Sequence, residues 1–168
     1  MQRIHWVAPL ALVFGLLMGA AAQDAPRYVD TTYGFSLTPP GFSKAAADAP
    51  KRPVTPVMFG AAPEDGFGAN INVQVQPATP LEKFKQITQQ QFTQMKWKTL
   101  SVKDLKVGEL AAIDWIYEGT LRFQKLRFRS RAIFSPKGVY MITCTSLTQN
   151  HEKYAEPFER AVSSFRVD

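Results

Sequence analysis

Cysteine and histidine are almost missing from this chain of 168 residues, which holds one cysteine, Cys144, and two histidines, His5 and His151. A lone cysteine excludes an internal disulfide. Zinc and other transition metals want several clustered imidazoles or thiolates, so a site of that kind is excluded too. Calcium loops of the D-x-D type are also missing. A serine hydrolase would have to work with a single histidine, and no nucleophile-elbow pattern accompanies it. Gly66-Phe67-Gly68 lacks the lysine and helix start of a phosphate-binding loop and reads as a hairpin turn. The expectation is a protein without cofactor, metal or catalytic residues. Asp114 and Glu118, on the same side of one strand, are the remaining carboxylate pair, and a solvent-facing acid on a strand is the ordinary case.

Long apolar runs are equally scarce, and the one present lies at the start. Met1 to Trp6 carries Arg3 as its only charged side chain, Val7 to Met18 is apolar, and Gly19-Ala20-Ala21-Ala22 is a run of small residues. This is the layout of a cleavable export signal, with the cut expected between Ala22 and Gln23. A retained anchor would need roughly 20 apolar residues, and Pro9 interrupts a stretch already shorter than that. No cysteine stands nearby to receive a lipid. The chain therefore divides into a signal at 1–22 and one domain at 23–168, with a periplasmic or secreted location and no membrane span after processing. Processing removes one of 20 basic residues and none of 14 acidic ones, so the net charge falls by one from +6 and stays positive. Nucleic acid is not an expected partner for an exported protein.

Along the mature chain, Tyr28-Val29-Asp30 and Phe35-Ser36-Leu37 flank Tyr33-Gly34 and predict a hairpin that stops at Pro39-Pro40-Gly41. Ser43 to Asp48 is rich in alanine and predicts a short helix. Val57-Met58-Phe59 begins a strand. Asn70 to Gln76 alternates strictly, odd positions apolar and even positions amides, which predicts a strand with one buried and one polar face. Leu81, Phe84, Ile87, Phe92 and Met95 recur at helical spacing, with Thr79-Pro80 as cap and Pro80 at the first helical position. Packing accounts for this stripe, and nothing in it asks for a ligand.

Three or four strands follow, over Lys98 to Val107, Glu109 to Glu118, Leu121 to Phe134 and Gly138 to Ser146. Their turns are read at Val107-Gly108, Glu118-Gly119-Thr120 and Ser135-Pro136-Lys137-Gly138. Links this short force antiparallel neighbours. Cys144 falls in the last strand, where it behaves as a small buried hydrophobe. A second helix runs from about Asn150 to Ser164. Its Pro157 should lie in the first turn or kink the helix. His151 opens that helix as a solvated surface histidine.

The segments Tyr33-Gly34-Phe35-Ser36-Leu37, Pro39-Pro40-Gly41-Phe42, Gly138 to Thr145, Tyr154-Ala155-Glu156-Pro157-Phe158 and Ser163-Ser164-Phe165-Arg166 together resemble the PsbP-like and DcrB-like superfamily. The likeness covers nearly all of the mature chain. It implies an α+β fold in which a central antiparallel β-sheet of about six strands is flanked by helices. It also implies a binding or assembly role in place of catalysis. The residues that carry it are turn glycines, prolines and core aromatics, which argue fold and not activity.

Lys125, Arg127, Arg129 and Arg131 stand at alternate positions of one strand and form a stripe of about 20 Å on one face. Left open, the stripe would attract an acidic protein, anionic lipid or another anionic envelope component. The other reading is that Glu109, Asp114 or Glu118 on adjacent strands pairs with these cations. The leading expectation is thus a non-catalytic exported accessory protein that binds a protein or anionic envelope component through its sheet face or loops. The alternative is a small-ligand carrier with an apolar pocket between sheet and helix, lined by residues such as Trp97, Trp115 and Tyr117. Those aromatics could instead be plain core.

Overall fold

A computed structural model describes residues 25–44 and 55–168. The expected signal at 1–22 lies outside the described residues. The elements run β1 (Tyr28–Asp30), β2 (Phe35–Leu37), β3 (Ser43–Lys44), β4 (Val57–Gly60), β5 (Asn70–Gln76), α1 (Leu81–Gln94), β6 (Lys98–Val107), β7 (Leu110–Leu121), β8 (Gln124–Ser135), β9 (Gly138–Leu147), α2 (His151–Ser164) and β10 (Arg166–Val167).

The tight links between β6, β7, β8 and β9 make a meander, and β9 returns to pair with β5. Among the described residues the result is a seven-stranded sheet in the order β3-β4-β5-β9-β8-β7-β6, antiparallel at each pairing. In this order β5 and β6 are four spacings apart although only α1 joins them. Four spacings amount to about 19 Å, and a 14-residue helix is about 21 Å long. Helix α1 therefore bridges one face of the sheet from β5 to its far edge.

Helix α2 takes the opposite face. It buries Tyr154, Phe158, Ala161 and Val162 in the cluster that contains Ile71, Val73, Ile133 and Ile142. The chain end folds back so that β10 joins β1 and β2 in a small second sheet, with Arg166 opposite Ser36. The fold is α+β, with a large antiparallel sheet between two helices, as the sequence predicts. The period of two in β5 has the expected meaning: Ile71 and Val73 are fully buried on the α2 side, and the amides turn to the α1 side.

Several local expectations need correction. Ser43 and Lys44 do not begin a helix; they pair with Gly60 and Phe59 as an edge strand, and residues 45–48 lie outside the described set. Pro80 occupies the position before the first helical residue, without a side-chain cap, while Thr79 Oγ1 donates to the Pro77 carbonyl. Pro157 sits inside α2 instead of in its first turn.

Gly119 and Thr120 are not a turn. Strand β7 continues through them to Leu121, because Gly119 serves packing: a Cβ there would lie 2.3 Å from the Trp97 ring. The chain reverses instead at Arg122 and Phe123, whose φ values of 48° and 70° are those of a type I′ turn.

Candidate ligand cleft under the first helix

Strand β8 does present Lys125, Arg127, Arg129 and Arg131 on one face, but it is the face that α2 covers. Arg131 is 9% exposed. Its Nε and Nη2 donate to the two Asp114 carboxylate oxygens at 2.7 and 2.8 Å, and its Nη1 donates to the Val162 carbonyl at 3.2 Å. The hydrogen bonds from Arg131 to Asp114 hold its guanidinium above its ordinary pKa. Arg129 reaches Glu159 of α2 at 2.7 Å and Asp114 at 3.6 Å. Arg127 meets Glu118 at 2.6 Å. Three of the four cations are thus neutralised by acids of β7 and α2, as the pairing alternative holds. Lys125 is exposed and is opposite Thr120.

His151 departs from its expected place in solvent. It is half-buried beside Ser146 Oγ, 3.3 Å from Nδ1. Burial, reinforced by the nearby Arg127 charge, lowers its pKa. Cys144 is fully buried, as read from the sequence, and burial pushes its thiol pKa up.

The opposite face of the sheet holds a feature that the α1 pattern does not announce. The spacing of the α1 stripe predicts packing, yet Phe84 is the only buried residue of that helix among those described. Ile87 and Met95 are 40% and 48% exposed. A helix held at so few points stands off the sheet, and a cleft of about 400 Å³ opens beneath it. Its walls include Phe84, Phe92, Met95, Trp97 and Trp115. Phe128, Tyr117 and Trp97 form a stack at one end, with ring centroids 4.7 Å apart for Tyr117–Phe128 and 5.0 Å for Trp97–Phe128. The aromatics therefore do both things proposed for them: they pack on each other and wall a cavity.

The cleft floor is polar. Tyr117 Oη, Ser130 Oγ and Thr143 Oγ1 form a chain of hydroxyls with links of 3.2 and 3.0 Å. Thr145 and the β5 amides Asn72, Gln74 and Gln76 continue the lining. Burial raises the Tyr117 pKa to about 12, so it remains a neutral hydroxyl. Asn72 Oδ1 is fully buried and has no hydrogen-bond partner among the described residues. Among the described residues, lysine, arginine, histidine, aspartate and glutamate do not occur in this lining.

The alternation of β5 marked the amide row correctly but left unsaid whether its face meets solvent or a helix. The hydroxyls had a signal of their own. Ser130, Thr143 and Thr145 interrupt one otherwise apolar face of β8 and of β9, and each is less than 8% exposed.

No family model matches the chain, and no curated protein matches it in sequence. Solved structures do. The solution structure of cyanobacterial PsbP from Synechocystis sp. PCC 6803 aligns with a TM-score of 0.64 at 16% identity, over 96% of this chain and 100% of that one. The crystal structure of the Pseudomonas aeruginosa protein PA94 aligns with a TM-score of 0.57 at 15% identity, over 82% and 93%. LpqN of Mycobacterium tuberculosis, described as involved in cell envelope biogenesis, aligns with a TM-score of 0.52 at 9% identity, over 89% and 87%. With the sheet order and helix placement already described, these alignments establish that the chain has the PsbP-like fold.

Proposed function

We propose that the protein is a non-catalytic exported accessory protein that carries a small, uncharged amphipathic molecule in the cleft between α1 and the sheet. The observation that supports this most is the composition of the cavity: aromatic walls, a floor of hydroxyls and amides, and no charged side chain among the described residues. An apolar ligand body would rest against Trp97, Trp115 and Phe128. A neutral hydrogen-bonding head would lie over Ser130, Thr143 and Asn72, and a donor on it would satisfy the orphaned Asn72 Oδ1. The volume lies within the usual range of small-molecule sites, about 300 to 1,000 Å³. Partner binding through the basic stripe has less support, because three of its four cations already have acidic partners. The exported setting rests on the signal-like start of the sequence and on fold neighbours such as LpqN of the mycobacterial envelope.

The test is titration with N-phenyl-1-naphthylamine, an uncharged apolar fluorophore. It is read by dye emission and by energy transfer from Trp97 and Trp115. Gln74 is half-buried on the cleft lining, so Gln74→Trp places a large side chain in the cavity while leaving the core intact. Saturable binding by the native protein, weakened about tenfold or more in the variant, supports the reading. Binding that does not saturate, or that Gln74→Trp leaves unchanged, removes the cleft as the working site.

A further inference from the structure

Strands β7 and β8 outrun both neighbours. Edge strand β6 reaches only as far as Glu118, which is opposite Lys98. On the other side, β9 ends at Leu147, opposite Leu126. Beyond those rungs Thr120 still pairs with Lys125 and Leu121 with Gln124. The segment from Thr120 to Lys125 therefore projects as a two-stranded finger of about 10 Å.

The tip has an unusual composition for its geometry. A type I′ turn needs positive φ at both central residues and strongly prefers Asn-Gly. Here the two positions hold Arg122 and Phe123. A bulky aromatic in the left-handed region is an outlier, and such outliers persist where something other than local stability keeps them. Phe123 is 102% exposed, and Leu121 beside it is 49% exposed.

The finger itself carries charge of one sign. The finger contains Arg122 and Lys125 and no acidic residue. Lys98, at the rung where the overhang begins, and Lys96 just before it are also exposed, and neither these two nor the finger cations form an ion pair among the described residues. The Gln124 side chain donates to the Gly66 carbonyl and braces the finger from the β4–β5 turn. The two carboxylates of that turn are occupied, Glu64 by Lys153 and Asp65 by Gln149 and Asn150.

We propose that this finger docks the protein on an anionic lipid surface. Phe123 and Leu121 enter the boundary between headgroups and acyl chains, and Arg122, Lys125, Lys98 and Lys96 meet the lipid phosphates. Phe and Leu are among the side chains that peripheral elements bury at that boundary, and an apolar insertion combined with several cations is the pairing that makes a peripheral attachment stable. Met95 and Trp97, which flank the same end, also line the cleft. Docking would set one side of the cleft beside the membrane.

The experiment is vesicle co-sedimentation of the exported, processed protein. Phosphatidylethanolamine vesicles containing phosphatidylglycerol are compared with phosphatidylcholine alone. Native protein is expected to partition at least about tenfold better to the phosphatidylglycerol vesicles and to be released by added salt. The double variant Arg122→Asn, Phe123→Gly installs the favoured turn, so it should melt at a higher temperature while losing about tenfold or more in partitioning. Loss of binding in a more stable protein cannot come from misfolding. Lys125→Gln, which leaves Phe123 in place, should bind with intermediate strength and a shallower salt dependence. Equal partitioning of the double variant and native protein overturns the proposal, as does indifference to lipid charge. Binding to native membranes that disappears on protease treatment would also overturn it, since that outcome identifies a protein receptor. Dye binding in the cleft should be unchanged in the finger variants, so the two sites are tested separately.

Discussion

Replacing Asp114 by asparagine removes a single negative charge while keeping the side-chain shape, and its consequence can be worked from three contacts. Asp114 accepts two hydrogen bonds from Arg131 and lies 3.6 Å from Arg129. Its side chain is 17% exposed, and those of Arg131 and Arg129 are 10% and 20% exposed. Neutralising one partner of a buried pair leaves an uncompensated charge, at a typical cost of about 3 to 5 kcal/mol. The lower end applies here, because Arg129 keeps Glu159 at 2.7 Å and Arg131 keeps the Val162 carbonyl. A loss of about 3 kcal/mol corresponds to a fall in Tm of about 6 to 12 °C for a chain of this size. Thermal and urea denaturation followed by circular dichroism measure it. Glu152→Gln is the control, since Glu152 is 90% exposed and 4.0 Å from Arg127; it should change stability by less than about 0.5 kcal/mol. A loss below about 1 kcal/mol for Asp114→Asn would show that solvent screens the pair as it screens a surface bridge. The account of the stripe as a buried, structural network would then be refuted.

Two further outcomes follow from single contacts. Gly119→Ala places a Cβ 2.3 Å from the Trp97 ring, so overpacking should cost about 1 to 3 kcal/mol and shift tryptophan emission as Trp97 is displaced; unchanged emission and stability would show that the ring moves freely. His151 faces Arg127, Arg129, Glu118 and Glu152, and burial depresses its pKa. Above its ordinary value of 6.5 the ring is neutral in both folded and unfolded states, whereas below it the unfolded chain takes up the proton first. Stability should therefore fall as pH drops below about 6.5, and a slope identical in His151→Gln would assign the effect to other groups.

Much of this architecture is legible along the chain because local patterning and short links leave few alternatives. The alternation of Asn70 to Gln76 marks a strand whose faces differ. The short turns between Lys98 and Ser146 can only make an antiparallel meander, and the apolar spacing in α2 places it on the sheet. Cys144, surrounded by strand residues, could be read as buried without coordinates. These features depend on neighbours within a few residues, and backbone geometry translates them directly into structure.

What the chain did not disclose depends on residues distant in sequence. Gly119 reads as a turn because a glycine commonly is one, yet the nearby ring of Trp97 is what requires it, and the turn falls on Arg122 and Phe123 without the residues that announce one. For the arginines of β8 the sequence leaves an open stripe and pairing with acids of adjacent strands as alternatives; the structure supplies Asp114 and Glu118 from β7 and adds Glu159 from α2, which the sequence does not suggest. The polar face of β5 looks like a solvent face until α1 crosses above it. By itself, the sequence determined the longer strands, the two helices and the fold class they make. Only the tertiary structure decided which polar groups meet one another and which are left facing a cavity, because charge pairing and cavity formation depend on the approach of elements that are close in space and far apart along the chain.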